Sequence, residues 1–179
     1  MALTERDLLK VQAAYPNGRL ELRDGKVVIK GFLDLWSAGI VTNLLTHLFN
    51  WVQPRRLGFV ASSNAGFRLT NGDIVAPAAT FVAKERMRIP PRDFADVVPN
   101  LVVEIKSCSD RIAELDQKLS LLRSLGAQAA LLIDPDERIV MVDADGQPRC
   151  VLTDADTLVL PLLLPGWSMR VSELWPEPL

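Results

Sequence analysis

Apolar residues recur along the chain with two periods, and segments of each kind alternate. Three segments show the spacing of three and four residues that is typical of amphipathic helices; they are residues 4–14, 37–53 and 111–125. Each begins beside residues that can cap a helix, namely Thr4, Ser37 and Ser109–Asp110. Pro54 and Gly126 are suited to end the second and third. The pattern therefore predicts three helices.

Short β-branched or alternating segments lie between and after these helices. They are residues 19–23, 26–30, 57–61, 66–69, 74–82, 101–107, 129–134 and 139–143. Turns at Asp24-Gly25 and Asp145-Gly146 predict hairpins on either side of a central strand–helix–strand unit. This order is typical of an α/β (or α+β) protein with a mixed β-sheet flanked by helices.

Length and composition narrow the class of protein. A chain of 179 residues favours a single domain over residues 1–179. Apolar residues make up 49% and charged residues 23%, which excludes a disordered chain. The net charge of −2 argues against a polybasic nucleic-acid binder but leaves room for a local basic groove.

The sequence also bears on location. The longest apolar stretch, Leu158 to Pro165, is far shorter than the roughly twenty residues of a spanning helix, so we expect no membrane segment. The first residues carry acids and do not resemble a secretory signal. Cys108 and Cys150 are too few for a disulfide framework and predict reduced thiols in a cytoplasmic protein. A single histidine, His47, leaves little room for a histidine metal site.

Two charged residues interrupt the apolar strand over residues 101–107. Glu104 and Lys106 are two residues apart, so they point to the same face, roughly 7 Å apart along the strand. Charges on a buried face are costly unless they are paired, hydrated or bound to a metal. The pair suits a carboxylate that holds a cation beside a lysine that orients water. It is equally compatible with a simple ion pair at a sheet edge.

A lysine interrupts the apolar stripe of the third predicted helix. Lys118 shares a helix face with Leu115 and Leu122. We therefore expect its side chain to be directed at the sheet, where it could reach over the strand end toward a phosphate. The alternative is a lysine that extends along the helix edge into water.

These residues carry a resemblance to a known family. The segment 99–111, Pro-Asn-Leu-Val-Val-Glu-Ile-Lys-Ser-Cys-Ser-Asp-Arg, is followed by Lys118, Gly126 and Asp134-Pro135. Together with residues 20–25, 71–82 and 163–167, it resembles the Uma-type restriction endonuclease family of the PD-(D/E)XK nuclease-like superfamily. The resemblance covers nearly the whole chain and implies a restriction-endonuclease-like fold.

The resemblance implies roles for four residues. Glu104 falls on the acid of the Glu-x-Lys signature and would be a metal ligand, while Lys106 would position the attacking water. Glu21 falls on an N-terminal acid and would be a further ligand, although beside Arg19 it could instead lie on a solvated hairpin face. Lys118 falls on a helix lysine with a catalytic role. The implied activity is Mg²⁺- or Mn²⁺-dependent cleavage of DNA.

One position departs from the family pattern. Pro77 matches the proline of a Pro-Asp pair, but the next residue is Ala78 where the family has its main metal-binding aspartate. Asp73 lies five residues upstream of Ala78, roughly 17 Å away on the opposite face of an extended strand, and should not substitute. We therefore expect Mg²⁺ binding and hydrolysis to be weak or absent.

Three functions stay open at this point. The first is a Mg²⁺-dependent DNA endonuclease, weakened or inactive because of Ala78. The second is a non-catalytic nuclease-fold module that binds nucleic acid or a protein partner. The third is an oligomerisation scaffold, such as a homodimer, in which the apolar tail from Leu158 to Trp175 packs between subunits. For the first two, we expect Glu104 and Lys106 to lie on one strand, with Glu21 and Ala78 converging on the same pocket and Lys118 projecting toward it.

Overall fold

The structure is a computed structural model that describes residues 2–108 and 110–177. Its α-helices are α1 (Glu5–Ala14), α2 (Leu35–Val52) and α3 (Ile112–Ser124). Its strands are β1 (Arg19–Arg23), β2 (Lys26–Lys30), β3 (Gly58–Ser62), β4 (Phe67–Arg68), β5 (Ile74–Val75), β6 (Ala79–Ala83), β7 (Leu101–Ile105), β8 (Ala129–Asp134), β9 (Ile139–Ala144), β10 (Cys150–Leu152), β11 (Thr157–Val159) and β12 (Ser168–Arg170). A 3₁₀ turn follows at Val171–Leu174.

A six-stranded mixed sheet organises the molecule. Its order is β10-β9-β8-β7-β6-β3, and β7 and β8 are parallel while the other neighbours are antiparallel. The parallel pair is joined through α3, as a parallel connection requires. Leu101 and Val103 pack on the side of α2, whereas Val102 packs on the side of α3. The expected mixed sheet flanked by helices is therefore present.

A smaller sheet carries the N-terminal hairpin. Its order is β2-β1-β5-β4, all antiparallel. Leu20 and Leu22 of β1 pack with Leu8 of α1 in a separate apolar cluster. Because side chains alternate along a strand, Glu21 between them points to the opposite face.

The second helix begins earlier than the sequence predicts. Its N-cap is Asp34 rather than Ser37. The Asp34 carboxylate accepts hydrogen bonds from both the backbone N–H and the hydroxyl of Ser37, each at 2.8 Å. A carboxylate can satisfy two donors at once, which places Ser37 inside the first turn.

The cap predicted for the third helix is not found. Asp110 accepts from the Ser107 backbone N–H at 3.0 Å and from its hydroxyl at 2.6 Å, so its carboxylate is engaged before the helix begins. The N-cap position is Arg111. Ser109 lies outside the described residues.

The strand predicted over residues 74–82 is two strands in different sheets. β5 belongs to the small sheet and β6 to the large one, with a break at residues 76–78. Pro77 has no N–H for a ladder and fixes its own backbone, which favours the break. The break lets the chain cross from the sheet that carries Glu21 to the sheet that carries Glu104.

The apolar tail packs into the core of its own chain. Most of its large side chains are 0–3% exposed and join the core on the side of α2, whereas Val159 is 39% and Leu162 is 65% exposed; the covered ones include Leu158, Leu164, Trp167 and Leu174. The covered side chains are not free to pack between subunits, and the scaffold hypothesis stays a prediction. Within the part of the chain that the structure describes, no helix combines the length and apolarity needed to cross a bilayer.

Candidate active site

Three charged side chains from three elements meet beneath α3. Glu104 lies on β7 with the same parity as Val102, so it faces α3. Lys118 shares the stripe of Leu115 and Leu122 that packs on that face. β1 presents Glu21 to the same point from the small sheet.

The three groups form a buried ionic cluster, here called the Glu21–Lys118–Glu104 triad. Lys118 Nζ donates to Glu21 Oε1 at 2.6 Å and forms an ion pair with Glu104 Oε1. Exposure is 0% for Glu21, 4% for Glu104 and 3% for Lys118. The Ala76 backbone N–H also donates to Glu21 Oε1, at 2.8 Å. The lysine thus points inward as predicted.

Electrostatics favour the charged forms of Glu21 and Lys118. Burial, the largest influence, acts to raise the pKa of Glu21, but the Lys118 ammonium and the Ala76 N–H outweigh it and the pKa is lowered. Burial likewise acts to lower the pKa of Lys118, and the two carboxylates reverse this and raise it. The carboxylate of Glu21 and the ammonium of Lys118 therefore stabilise each other.

Ala78 lies where the resemblance leads one to expect a carboxylate. Ala79 is the first residue of β6 and pairs with Val103, the neighbour of Glu104 on β7, so Ala78 lies one residue before the paired part of the strand. Ala78 is 4% exposed and packs with the core on the side of α2. At this position the chain has an apolar contact in place of a ligand.

Asp73 does not fill the gap. Its carboxylate accepts from the Asp24 backbone N–H at 2.8 Å and from the Asn71 side-chain amide at 2.9 Å. These bonds hold two turns of the small sheet together. Asp73 is therefore a structural residue, in agreement with the prediction that it does not substitute.

Lys106 does not join the triad. Strand β7 ends at Ile105, although the Lys106 N–H still donates to the Ile133 carbonyl oxygen at 2.9 Å. The Lys106 ammonium forms ion pairs with Asp136 and with Asp134, the latter at 3.6 Å. The hydrogen bond to Asp136 is the main cause of the raised pKa of Lys106. In the described ranges, no ion pair links Lys106 to Glu104 or Glu21.

The donor set does not fit Mg²⁺. This ion takes near-ideal octahedral oxygen ligation at roughly 2.0–2.1 Å. Here two carboxylates share one ammonium, which itself lies where a cation would bind, and the third position is Ala78. Across residues 2–108 and 110–177, no group of three or more His, Cys, Asp or Glu side chains is placed to hold a metal.

A cleft of about 220 Å³ opens beside Glu21. Arg19 and Lys30 line it together with the polar residues Ser63 and Asn64. Sequence analysis missed Lys30, yet its position at the end of β2 opposite Arg19 follows from the register of the predicted hairpin. The two cations make this cleft suited to an anionic ligand.

A larger cavity of about 600 Å³ adjoins the cleft. The two share four lining residues, namely Leu9, Asn64, Gly66 and Phe94. The larger one is lined mainly by apolar and aromatic side chains from β3 and the loop that follows β6. Anion-binding and apolar surfaces thus lie side by side.

Comparisons with known proteins specify the family of this fold. The model of the Uma2 family, described as "Putative restriction endonuclease", matches residues 6–172. The chain belongs to this family, as the resemblance indicated. Among curated proteins, no relative matches the chain.

Solved structures confirm the restriction-endonuclease-like fold. The crystal structure of a "putative nuclease belonging to DUF820" from Anabaena variabilis ATCC 29413 superposes with a TM-score of 0.77 at 18% identity, covering 87% of this chain and 88% of that one. A cryo-EM structure of a DrdV–DNA complex has a TM-score of 0.32 at 13% identity, covering 64% of this chain and 12% of that one. This similarity is too low to support a conclusion.

Proposed function

We propose that this chain is a nuclease-fold protein that binds DNA and in which Mg²⁺-dependent phosphodiester cleavage is lost or strongly weakened. Membership of a family described as restriction endonucleases supports DNA as the ligand. The observation that carries the loss of cleavage is Ala78, an apolar core residue just before β6 at the position where the family resemblance implies the main metal-binding aspartate. We place the protein in the cytoplasm, where the free thiols of Cys108 and Cys150 stay reduced.

The charges around the site support binding rather than catalysis. Arg19 and Lys30 line the open cleft and can meet phosphate oxygens. Lys118 would be the natural group to stabilise charge on a phosphoryl oxygen, but it is neutralised by two carboxylates and is 3% exposed. Without a metal beside Glu104, no group of the triad activates water or polarises the phosphate.

A specific observation keeps the endonuclease as the second candidate. Glu21 and Glu104 still contact the same ammonium from two different sheets. They are the part of a metal-binding set that is retained, and one or two carboxylates can hold Mg²⁺ when water and substrate phosphate complete its shell. This candidate predicts calorimetric binding of Mn²⁺ that disappears in Glu104→Ala.

The first prediction compares supercoiled plasmid nicking by the parent and by Ala78→Asp, each with Mg²⁺ or Mn²⁺. We expect nicking by the parent at the protein-free background and nicking by Ala78→Asp at least about ten times that background. Three carboxylates exceed the single charge of Lys118, so a divalent ion can bind beside them and stabilise the transition state by several kcal/mol. Ala78→Asn is the matched control of similar size without charge. Adding Glu104→Ala to Ala78→Asp should abolish the gain. Parent nicking at the rate of Ala78→Asp would refute the loss of cleavage.

DNA binding is measured separately, in EDTA, by fluorescence anisotropy with a labelled duplex. We expect binding that weakens as salt rises, and a smaller salt dependence in Lys30→Ala, because each phosphate contact releases counterions. Lys26→Ala is the control, since Lys26 lies in the same strand but does not line the cleft. If neither nicking nor DNA binding is observed, a protein partner becomes the better hypothesis.

A further inference from the structure

In the Glu21–Lys118–Glu104 triad, two carboxylates contact one cation, as they would in a metal centre, but the cation is a lysine side chain. One atom, Lys118 Nζ, contacts a carboxylate oxygen from each of two sheets. The two carboxylates are therefore close neighbours, and both side chains are at most 5% exposed. Two buried carboxylates this close repel each other unless a positive charge lies between them.

The Lys118 ammonium has little route to water. Its side chain is 1% exposed, and the helix face around it is anchored by Leu115, Leu119 and Leu122. Its ion pairs within the described residues are those to Glu21 and Glu104. The ammonium is therefore held at the shared position by both packing and charge.

The other contacts of Glu21 are consistent with this arrangement. Glu21 Oε1 accepts from the Ala76 N–H as well as from Lys118, so the backbone fixes one carboxylate independently of any metal. Glu21 Oε2 has Arg23 Nε at 3.4 Å, which adds a second positive charge at the outer side. A divalent ion entering here would meet two cations as well as two anions.

We infer that Lys118 is the resident cation of this centre: its ammonium holds Glu21 and Glu104 together and excludes divalent metal. Removing the ammonium converts the two carboxylates into a divalent-cation site completed by water. The inference about Lys118 deepens the proposed function. It rests on that proposal only because it treats the triad as the former hydrolytic centre. It assigns Lys118, in this chain, the place of the metal rather than a role beside one.

The test measures thermal unfolding with Mn²⁺ alone, without DNA. Lys118→Met keeps the length of the side chain and removes its charge. We expect Mn²⁺ at a hundredfold excess over its Kd to raise the Tm of Lys118→Met by roughly 5–10 °C, and to shift the parent by less than about 1 °C. Adding Glu104→Gln to Lys118→Met should abolish the response. Lys106→Met, which removes a lysine outside the triad, should behave as the parent.

Direct Mn²⁺ titration by calorimetry gives the second measurement. Stoichiometric binding of Mn²⁺ to the parent that disappears in Glu104→Gln would overturn the inference. It would show that the Lys118 ammonium does not exclude a divalent ion from the two carboxylates. Absence of any Mn²⁺ response in both Lys118→Met and Lys118→Gln, with both folded, would overturn it as well. If Lys118→Met is unfolded in EDTA, native circular dichroism on refolding in Mn²⁺ supports the inference, and failure to refold in Mn²⁺ refutes it.

These outcomes are separable from those of the proposed function. Nicking by the parent tests the loss of cleavage, whereas the Mn²⁺ response of Lys118→Met tests what fills the centre. A parent that neither nicks DNA nor binds Mn²⁺, together with a Lys118→Met variant that ignores Mn²⁺, would retain the first proposal and refute the second.

Discussion

Two lysines of this chain each lie between two carboxylates, one inside the molecule and one at its surface. Lys118 pairs with Glu21 and Glu104, and its side chain is 1% exposed. Lys106 pairs with Asp134 and Asp136, and its side chain is 20% exposed, with Asp136 70% exposed. The two clusters have the same charges but differ in access to water, since in the outer cluster only Asp134, with a side chain 4% exposed, is as buried as the triad. The comparison therefore isolates what burial does to an ionic cluster.

Burial changes the consequence of losing one member. At the surface, water and salt replace a missing partner, and an exposed pair contributes about 0–1 kcal/mol. Inside, nothing replaces it, and an uncompensated charge costs about 3–5 kcal/mol. The same property lets the inner cluster act as a specific site, because only a matched charge is tolerated there.

The largest predicted effect is that of Lys118→Met on stability. We expect it to lower the free energy of unfolding by about 3–5 kcal/mol at neutral pH without metal, since Glu104 is left buried without its ion pair and Glu21 keeps only Arg23 and the Ala76 N–H. Urea unfolding followed by circular dichroism measures this. A loss below about 1 kcal/mol, the range of exposed pairs, would show that water reaches the triad and would remove the contrast with Lys106.

Replacing the whole triad by apolar residues sharpens the same point. We expect the variant Glu21→Leu/Lys118→Met/Glu104→Leu to be at least as stable as the parent, by up to about 1–4 kcal/mol, because the desolvation cost of three charges disappears. The measurement is again urea unfolding in parallel with Lys118→Met. A triple variant less stable than Lys118→Met would mean that the charges themselves hold the two sheets together.

The free energy of unfolding at acid pH tests whether Glu21 is ionised in the folded protein. Its pKa is lowered in the folded state, so its contribution is present above the ordinary value of 4.5 and is lost as pH falls through the lower folded value. We expect Glu21→Gln to cost about 1–3 kcal/mol at pH 7 and progressively less below pH 4.5. Unfolding free energies of both proteins between pH 3 and pH 7, about the range where a carboxylate titrates, measure this. A difference independent of pH would refute the ionised form of Glu21.

The smallest predicted effect is that of Lys106→Met. We expect a loss of about 0–1 kcal/mol that shrinks further as salt is added, because Lys106 and Asp136 are open to solvent. Urea midpoints at low and high salt measure it. A larger loss that salt does not change would place Lys106 in the same class as Lys118.

The contrast between the two lysines also shows how far sequence patterns reach. The orientation of Lys118 follows from the apolar stripe that it interrupts, which is a local property of one helix. The fate of Lys106 depends on Asp134 and Asp136, about thirty residues away, which the parallel register of β7 and β8 brings alongside. Strand parity predicts that Lys106 shares a face with Glu104, but it contains nothing about which carboxylate is nearest.

The position of Glu21 shows the same limit. Its burial was not evident from the hairpin pattern, because Arg19 and Arg23 on either side suggest a solvated face. Only the family resemblance pointed to it. What buries it is the crossing of the chain from β5 to β6 at Pro77, a tertiary event that a continuous strand over residues 74–82 would have excluded.

The buried C-terminal tail has a consequence for how the chain is made. The Asn43 side-chain amide of α2 donates to the Leu174 carbonyl oxygen at 3.0 Å, across 131 positions of sequence. Leu174 and Trp175 complete the core over α2, and both are at most 3% exposed. The apolar face of α2 is therefore synthesised early and covered late, after Trp175 has left the ribosome. A nascent chain that has not yet reached Trp175 leaves this part of the core open to water, which favours aggregation until the last residues of the core arrive.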